Sequence, residues 1–230
     1  GLISPAKFIP AAEEAHLIGP LGDMVMRDSA MRAAEWLRRG IAVRVAVNVS
    51  PAQFNDDNFT QKVVNVIQES GLPPSLFELE ITESIAMSNP DRVQRLLEPL
   101  RLMGIKIAID DFGTGYSSLS KLSHFPAHTV KIDRSFVAQI GYNPKSEMII
   151  KAIISLAEIL SCKTVAEGVE NEDQESFLKA APIISMMKLR ASYGQTGNDG
   201  GISNYAWQPL YALGWNNATE AGILQSSLGN

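Results

Sequence analysis

The sequence predicts an α/β fold, a parallel sheet whose strands alternate with helices. Three observations carry the prediction. Short β-branched runs alternate five times with longer segments whose apolar residues recur at helical spacing. Gly or Pro stands at most of the junctions, where helices stop and start. A polar residue sits at or near the C-terminal end of every run: Asn48, Glu80, the pair Asp110 and Asp111, Lys131, and Glu167. Such repetition implies parallel pairing with right-handed crossovers, and in a parallel barrel those strand ends converge on one face.

Taken in order, Ser4 followed by Pro5 is a helix start, with Ser4 as N-cap. Leu21–Arg39 places Leu21, Met24, Val25, Met31, Ala34 and Leu37 near helical spacing and stops at Gly40. Arg44–Val49 reads as the first strand, with Asn48 at its end. Asp57–Ser70 is a helix with Val63, Val64 and Ile67 on one face, closed by Gly71. Phe77–Ile81, containing Glu80, is the second strand, and Pro90–Met103 is a helix ended by Gly104. Ile105, Ile107 and Ile109 then open a mostly buried third strand that ends in Asp110 and Asp111, followed by a glycine-rich loop. His128–Ile132 is the fourth strand and carries Lys131. Ser146–Leu160 is a strongly apolar helix, Lys163–Ala166 a fifth strand running into Glu167, and Asn171–Lys179 the start of another helix.

The composition, 230 residues with 45% hydrophobic and 20% charged, suits one globular domain. A net charge of −5 argues against a nucleic-acid groove, so DNA is not an expected partner. The single cysteine, Cys162, excludes an internal disulfide and reads as a small buried hydrophobe. There is no long apolar run and no signal peptide, so residues 1–179 read as cytoplasmic. The chain starts at Gly1, inside what reads as an element, and is expected to be a fragment. Residues 180–230 hold only four charged residues (Lys188, Arg190, Asp199 and Glu220) yet seven of the 17 glycines, which places a boundary near Ala180.

Two adjacent carboxylates at the end of an apolar strand repel each other and resist burial. Either a cation compensates Asp110 and Asp111, or one caps the following helix and the other is solvated. The other strand ends favour the cation. Glu80, Asp110, Asp111, Glu167 and Glu170 are hard oxygen ligands, and Asn48 adds an amide oxygen. No cysteine accompanies them, and His16, His124 and His128 fall elsewhere. That set favours Mg²⁺ or Mn²⁺ over zinc. Several carboxylates around one pocket allow two ions, which suits a phosphoryl displacement. Lys131 is a point charge able to steady a water or a phosphate oxygen. Asp111-Phe112-Gly113 imitates the kinase metal-binding triplet, and Gly113-x-Gly115-x-x-Ser118 a dinucleotide loop, but both lack their companion motifs.

Val47-Asn48-Val49-Ser50, Glu80-Ile81-Thr82-Glu83, Asp110-Asp111-Phe112-Gly113-Thr114-Gly115, Lys131-Ile132-Asp133 and Glu167-Gly168-Val169-Glu170 resemble the ordered motifs of EAL domains. Ser4-Pro5-x-x-Phe8-Ile9-Pro10-x-Ala12-Glu13-Glu14 also resembles that family, and the likeness covers about residues 1–179. EAL domains are bacterial phosphodiesterases that open cyclic di-GMP to the linear dinucleotide. The resemblance implies a TIM-like (β/α) barrel and two Mg²⁺ or Mn²⁺ ions held by Asn48, Glu80, Asp110, Asp111 and Glu167. It gives Lys131 the role of orienting the hydrolytic water and makes Glu170 an accessory acid. Glu83 becomes the tether of the loop Phe112–Ser118, with Gly113 and Gly115, a loop implicated in metal binding and dimerisation. A sensor or GGDEF domain in the parent protein and a homodimer follow as expected partners.

Two pieces of the family pattern are missing. The name-giving Glu-x-Leu motif would lie before Gly1, and Met186–Arg190 stands where a Gln-Gly-Tyr strand is expected. The barrel is therefore expected to be incomplete, with unpaired edges. Met187, Leu189, Ala191 and Tyr193 alternate with polar residues, and this Gly/Asn-rich stretch resembles a strand segment of a TonB-dependent outer-membrane receptor. On that reading residues 180–230 are a foreign tail and the chain a chimera. The alternatives to an active phosphodiesterase are an inactive EAL-like module that binds the dinucleotide or a protein, and a fragment without native function.

Overall fold

The structure, a computed structural model, describes residues 3–115, 122, 125–180 and 184–188. Their strands form one parallel sheet in the order β1-β2-β3-β4-β5-β6, with helices in the connections. The strands are β1 (Val45–Val49), β2 (Phe77–Thr82), β3 (Lys106–Phe112), β4 (Thr129–Ile132), β5 (Lys163–Glu167) and β6 (Ile184–Lys188). The helices are α1 (Pro5–Glu14), α2 (Ile18–Arg38), α3 (Pro51–Phe54), α4 (Phe59–Ser70), α5 (Glu83–Ser88), α6 (Pro90–Met103), α7 (Arg134–Val137), α8 (Pro144–Ile159) and α9 (Glu172–Ala180). Five strands fall where the sequence placed them. β6 lies past the composition change at Ala180 and pairs with β5. Residues 189–230, which carry the rest of the tail resemblance, lie outside the described residues.

The register explains why apolar and charged residues alternate along the strands. Residues paired across a parallel ladder point to the same side of the sheet. Val47, Val49, Phe77, Leu79, Ile81, Ile107, Ile109, Val130, Ile132 and Ala166 share one side and are all buried in the cores under the helices. Asn48, Glu80, Asp110, Lys131 and Glu167 share the other, at the C-terminal end. Helix packing thus consumes one face and leaves the other for chemistry. Phe54, Phe59, Phe77, Leu79 and Leu97, each 2% exposed or less, anchor the first core, with the Phe54 and Phe59 rings 5.9 Å apart.

Side-chain caps set several of the helix starts. Asn89 and Asn143 accept from Arg92 N and Lys145 N at the starts of α6 and α8, each followed by proline. Ser4 stands at the cap of α1 but makes no side-chain bond; its carbonyl accepts from Lys7 N at 2.8 Å instead. Cys162 is buried, and burial pushes its thiol pKa up, as befits an inert packing residue. Among the described residues no helix is long and apolar enough to cross a membrane.

His128 belongs to the sheet rather than to the site. Its Nδ1 accepts from Ile107 N at 3.2 Å, and its own N–H donates to Ile107 O at 2.8 Å. Burial lowers its pKa, and Lys106, Arg101 and Arg44 lower it further. The fold therefore favours the neutral ring. Above the ordinary histidine value of about 6.5 this costs nothing, and stability falls as pH drops below it, because the unfolded chain takes the proton more readily than the folded one. Denaturant midpoints measured between pH 7.5 and 5 should show a shallower acid decline in His128→Gln; an identical decline in both proteins would remove the assignment.

Candidate active site

The site is built on Lys131. Its ammonium lies 2.9 Å from Glu80 Oε1, 2.8 Å from Asp110 Oδ1 and 3.0 Å from Glu167 Oε1. One carboxylate comes from each of β2, β3 and β5, and the lysine from β4 between the last two. Lys131 is 3% exposed. Burial alone would lower its pKa, but Glu80, Asp110 and Glu167 outweigh that and hold it above the ordinary lysine value. At neutral pH this group is a charged donor and not a base.

A bulge in β3 brings the acids to the lysine. Ile109 pairs with Val130 and Phe112 with Ile132, so two residues, Asp110 and Asp111, oppose the single Lys131. Asp111 takes a left-handed backbone, φ 53°, which Asp tolerates better than most side chains. Its N–H donates to Asp110 Oδ1 at 3.0 Å, which fixes the Asp110 carboxylate towards Lys131. Asp111 itself stands exposed at the rim. Partial burial of its carboxyl, then repulsion from Asp110 and Asp133, raises its pKa.

Asp133 has no role in the sequence reading beyond its place in a motif. It caps α7, accepting from Ser135 N at 2.9 Å and from the Ser135 hydroxyl. Burial alone would raise its pKa; the Ser135 bonds outweigh it and hold the carboxyl below the usual range. Residue spacing does not reveal that Asp133 faces Asp111, because Asp111 lies in β3 and Asp133 follows β4.

Glu83 opens α5, is 2% exposed, and accepts from Gly113 N at 2.9 Å and Gly115 N at 3.3 Å. It holds the described start of the glycine loop; residues 116–121 of that loop lie outside the described residues. Gly113 has φ 100°, and a Cβ there would come within 2.9 Å of Ile153 and Phe136 side-chain atoms. Gly168, next to Glu167, has φ 73°, and a Cβ there would meet Arg134 Cβ at 2.8 Å. Neither glycine can be enlarged without moving a neighbour of the site.

The structure does not gather every predicted residue. Asn48 pairs in register with Glu80 and shares its face, but β1 is an outer strand of the described sheet and Asn48 is exposed. Glu170 is exposed, and its N–H donates to Gln174 Oε1 at 2.7 Å. A cavity of about 490 Å³ near α1 and α3 is lined by none of the predicted site residues. Its Lys62 is already paired with Asp23 at 2.7 Å and Asp56 at 2.9 Å.

Three carboxylates around one ammonium leave two formal negative charges in a mostly buried pocket. The donor chemistry, all hard oxygen, fits a divalent cation of the Mg²⁺ or Mn²⁺ kind. Among the described residues no three acids or imidazoles form a ready-made metal cage, since the ammonium stands where the three acids meet.

The sequence pattern of the EAL domain matches residues 1–187. The chain belongs to the EAL domain family. The EAL match includes most of β6. The cyclic di-GMP phosphodiesterase PA2567 of Pseudomonas aeruginosa is 38% identical over 180 residues, 78% of this chain and 31% of its own length. The bifunctional diguanylate cyclase/cyclic di-GMP phosphodiesterase MucR of the same organism is 42% identical over 179 residues, 77% of this chain and 26% of its own length. The PaMucR phosphodiesterase in complex with c-di-GMP has the same fold, with a TM-score of 0.77 and 41% identity, covering 80% of this chain and 75% of that one. The EAL chain here thus spans between about a fifth and a third of the length of its curated relatives.

Proposed function

We propose that this chain carries out metal-dependent hydrolysis of cyclic di-GMP to the linear dinucleotide. The observation that carries the reading is the convergence of Glu80, Asp110 and Glu167 on Lys131 at the strand ends of an EAL domain. Glu80, Asp110, Asp111 and Glu167, with Asn48 from the outer strand, are the residues that would hold two Mg²⁺ or Mn²⁺ ions. Bound there, the ions would offset the excess negative charge and polarise the scissile phosphate. Water adds its oxygen to one phosphorus, the bond from that phosphorus to the ribose 3′ oxygen breaks, and the leaving oxygen takes a proton.

Lys131, being protonated, donates to the attacking water or to a phosphate oxygen and cannot act as the base. Glu83 keeps the loop start beside Asp111 in one conformation. Glu170, at the rim, is the accessory acid in this reading. The parent protein is expected to add a sensor or GGDEF domain, as the bifunctional name of MucR illustrates, and to work as a homodimer on the cytoplasmic side. Residues 180–187 lie inside the EAL match, so the foreign, receptor-like reading of residues 180–230 does not hold for them, and beyond them it rests on composition and a short likeness alone.

The test is chromatography of cyclic di-GMP incubated with the full chain in Mg²⁺ or Mn²⁺. Linear dinucleotide should appear and should vanish with EDTA. Binding by calorimetry without product in either ion would replace the enzyme by a binding module, and no binding at all would end both readings.

A further inference from the structure

The geometry at Lys131 goes further than a hydrogen-bond donor needs. An ammonium has three N–H donors. Here Glu80, Asp110 and Glu167 each bring an oxygen within 2.8–3.0 Å of it; the contact to Asp110 is a hydrogen bond and the other two are ion pairs. Without a cation at that point, three carboxylates from β2, β3 and β5 would repel one another across a pocket largely closed to water. The same oxygens are the ones assigned to the divalent ions, so lysine and ion compete for them.

We propose that Lys131 is a positioning residue that serves as the site's tethered cation, gathering the three carboxylates and yielding at least one of them when a divalent ion binds. The inference rests on the assignment of Glu80, Asp110 and Glu167 as metal ligands. It joins two roles of one side chain. An ammonium held among three carboxylates is drawn towards them and away from a water or a phosphate. Release of one carboxylate to an ion loosens that hold, so loading of the ion and arming of the lysine occur together. The ion also brings two positive charges to a cluster that, with the ammonium still beside it, carries two formal negative ones.

Lys131→Met, of similar length and uncharged, separates this from a purely structural lysine. Thermal unfolding of the full chain in EDTA and in Mn²⁺ is combined with calorimetric titration of Mn²⁺. In EDTA the variant should melt well below the parent chain. Mn²⁺ should raise its melting temperature more than it raises the parent's. Its Mn²⁺ affinity should be at least about tenfold tighter, since the competitor has gone. A structural lysine predicts lower melting in both conditions and unchanged affinity; equal or weaker affinity in the variant overturns the proposal. Absence of Mn²⁺ binding by the parent and the variant alike would remove the metal assignment itself, and the proposal with it. Should Lys131→Met fail to fold even in Mn²⁺, Glu80→Gln/Lys131→Met is compared with Glu80→Gln. Tighter Mn²⁺ binding by the pair supports the competition, and equal or weaker binding refutes it.

Discussion

Asp110→Asn should abolish most turnover while leaving the protein as stable as before. Asp110 Oδ1 meets Lys131 Nζ at 2.8 Å and accepts from Asp111 N at 3.0 Å. An asparagine oxygen can keep both bonds, so the bulge in β3 and the direction of the side chain survive. What goes is one of three negative charges around a single ammonium, and with it a hard ligand. The remaining Glu80 and Glu167 still pair with Lys131, and the repulsion between the acids is reduced. Stability should therefore change by no more than about 1 kcal/mol in either direction. Turnover depends on charge gathered at this point and should fall by about 10²–10³-fold. The check is linear-dinucleotide production beside a denaturant midpoint for both proteins. A variant that keeps most of its activity would take Asp110 out of the site. A large loss of stability would mean instead that the charge, and not the shape, holds the bulge.

This contrast also marks what the amino-acid order could and could not disclose. The strand positions were legible because the helix-facing residues Val47, Leu79, Ile81, Ile109 and Ile132 alternate with the polar ones. Glycine and proline fixed the ends of α4 and α6. Asp110, Glu80, Lys131 and Glu167 were legible as a group because each closes a different strand. Their convergence on a nitrogen was not, since it depends on the bulge at Asp110–Asp111. A bulge is a mismatch between two strands far apart in the chain, and no local pattern records it. Asn48 follows the same strand-end rule as the others but sits on an outer strand, a property of topology and not of sequence. The short helices α3, α5 and α7 are below the length at which apolar periodicity speaks. For α3 a signal did exist: Ser50 and Gln53 form a capping box, with Ser50 Oγ accepting from Gln53 N and Gln53 Oε1 accepting from Ser50 N.

Glu83→Ala should be the most damaging change to the fold around the site. The Glu83 side chain is buried at the start of α5, where the helix dipole favours its charge. Its Oε2 is the acceptor for two backbone donors of the glycine loop, Gly113 N at 2.9 Å and Gly115 N at 3.3 Å. Removing the carboxylate leaves both donors to find water, at about 1–3 kcal/mol for each that stays buried. Gly113 is half-buried and Gly115 exposed, so a loss of about 1–3 kcal/mol follows, or about 2–12 °C in melting temperature for a domain of this size. The loop cannot simply close over the gap, because Gly113 is pinned against Ile153 and Phe136. Asp111 lies two residues before Gly113, so the disturbance reaches the rim of the carboxylate cluster. Turnover should drop by about a hundredfold, comparable to the loss of a group that orients a ligand. Glu83→Gln separates the two consequences. Its amide oxygen can still accept from the loop, so it should recover most of the stability, and turnover should recover with it if the tether acts by position alone. Should Glu83→Gln regain stability but not turnover, the Glu83 charge itself would be part of the site's field. Should Glu83→Ala melt with the parent chain, the tether would carry no weight at all.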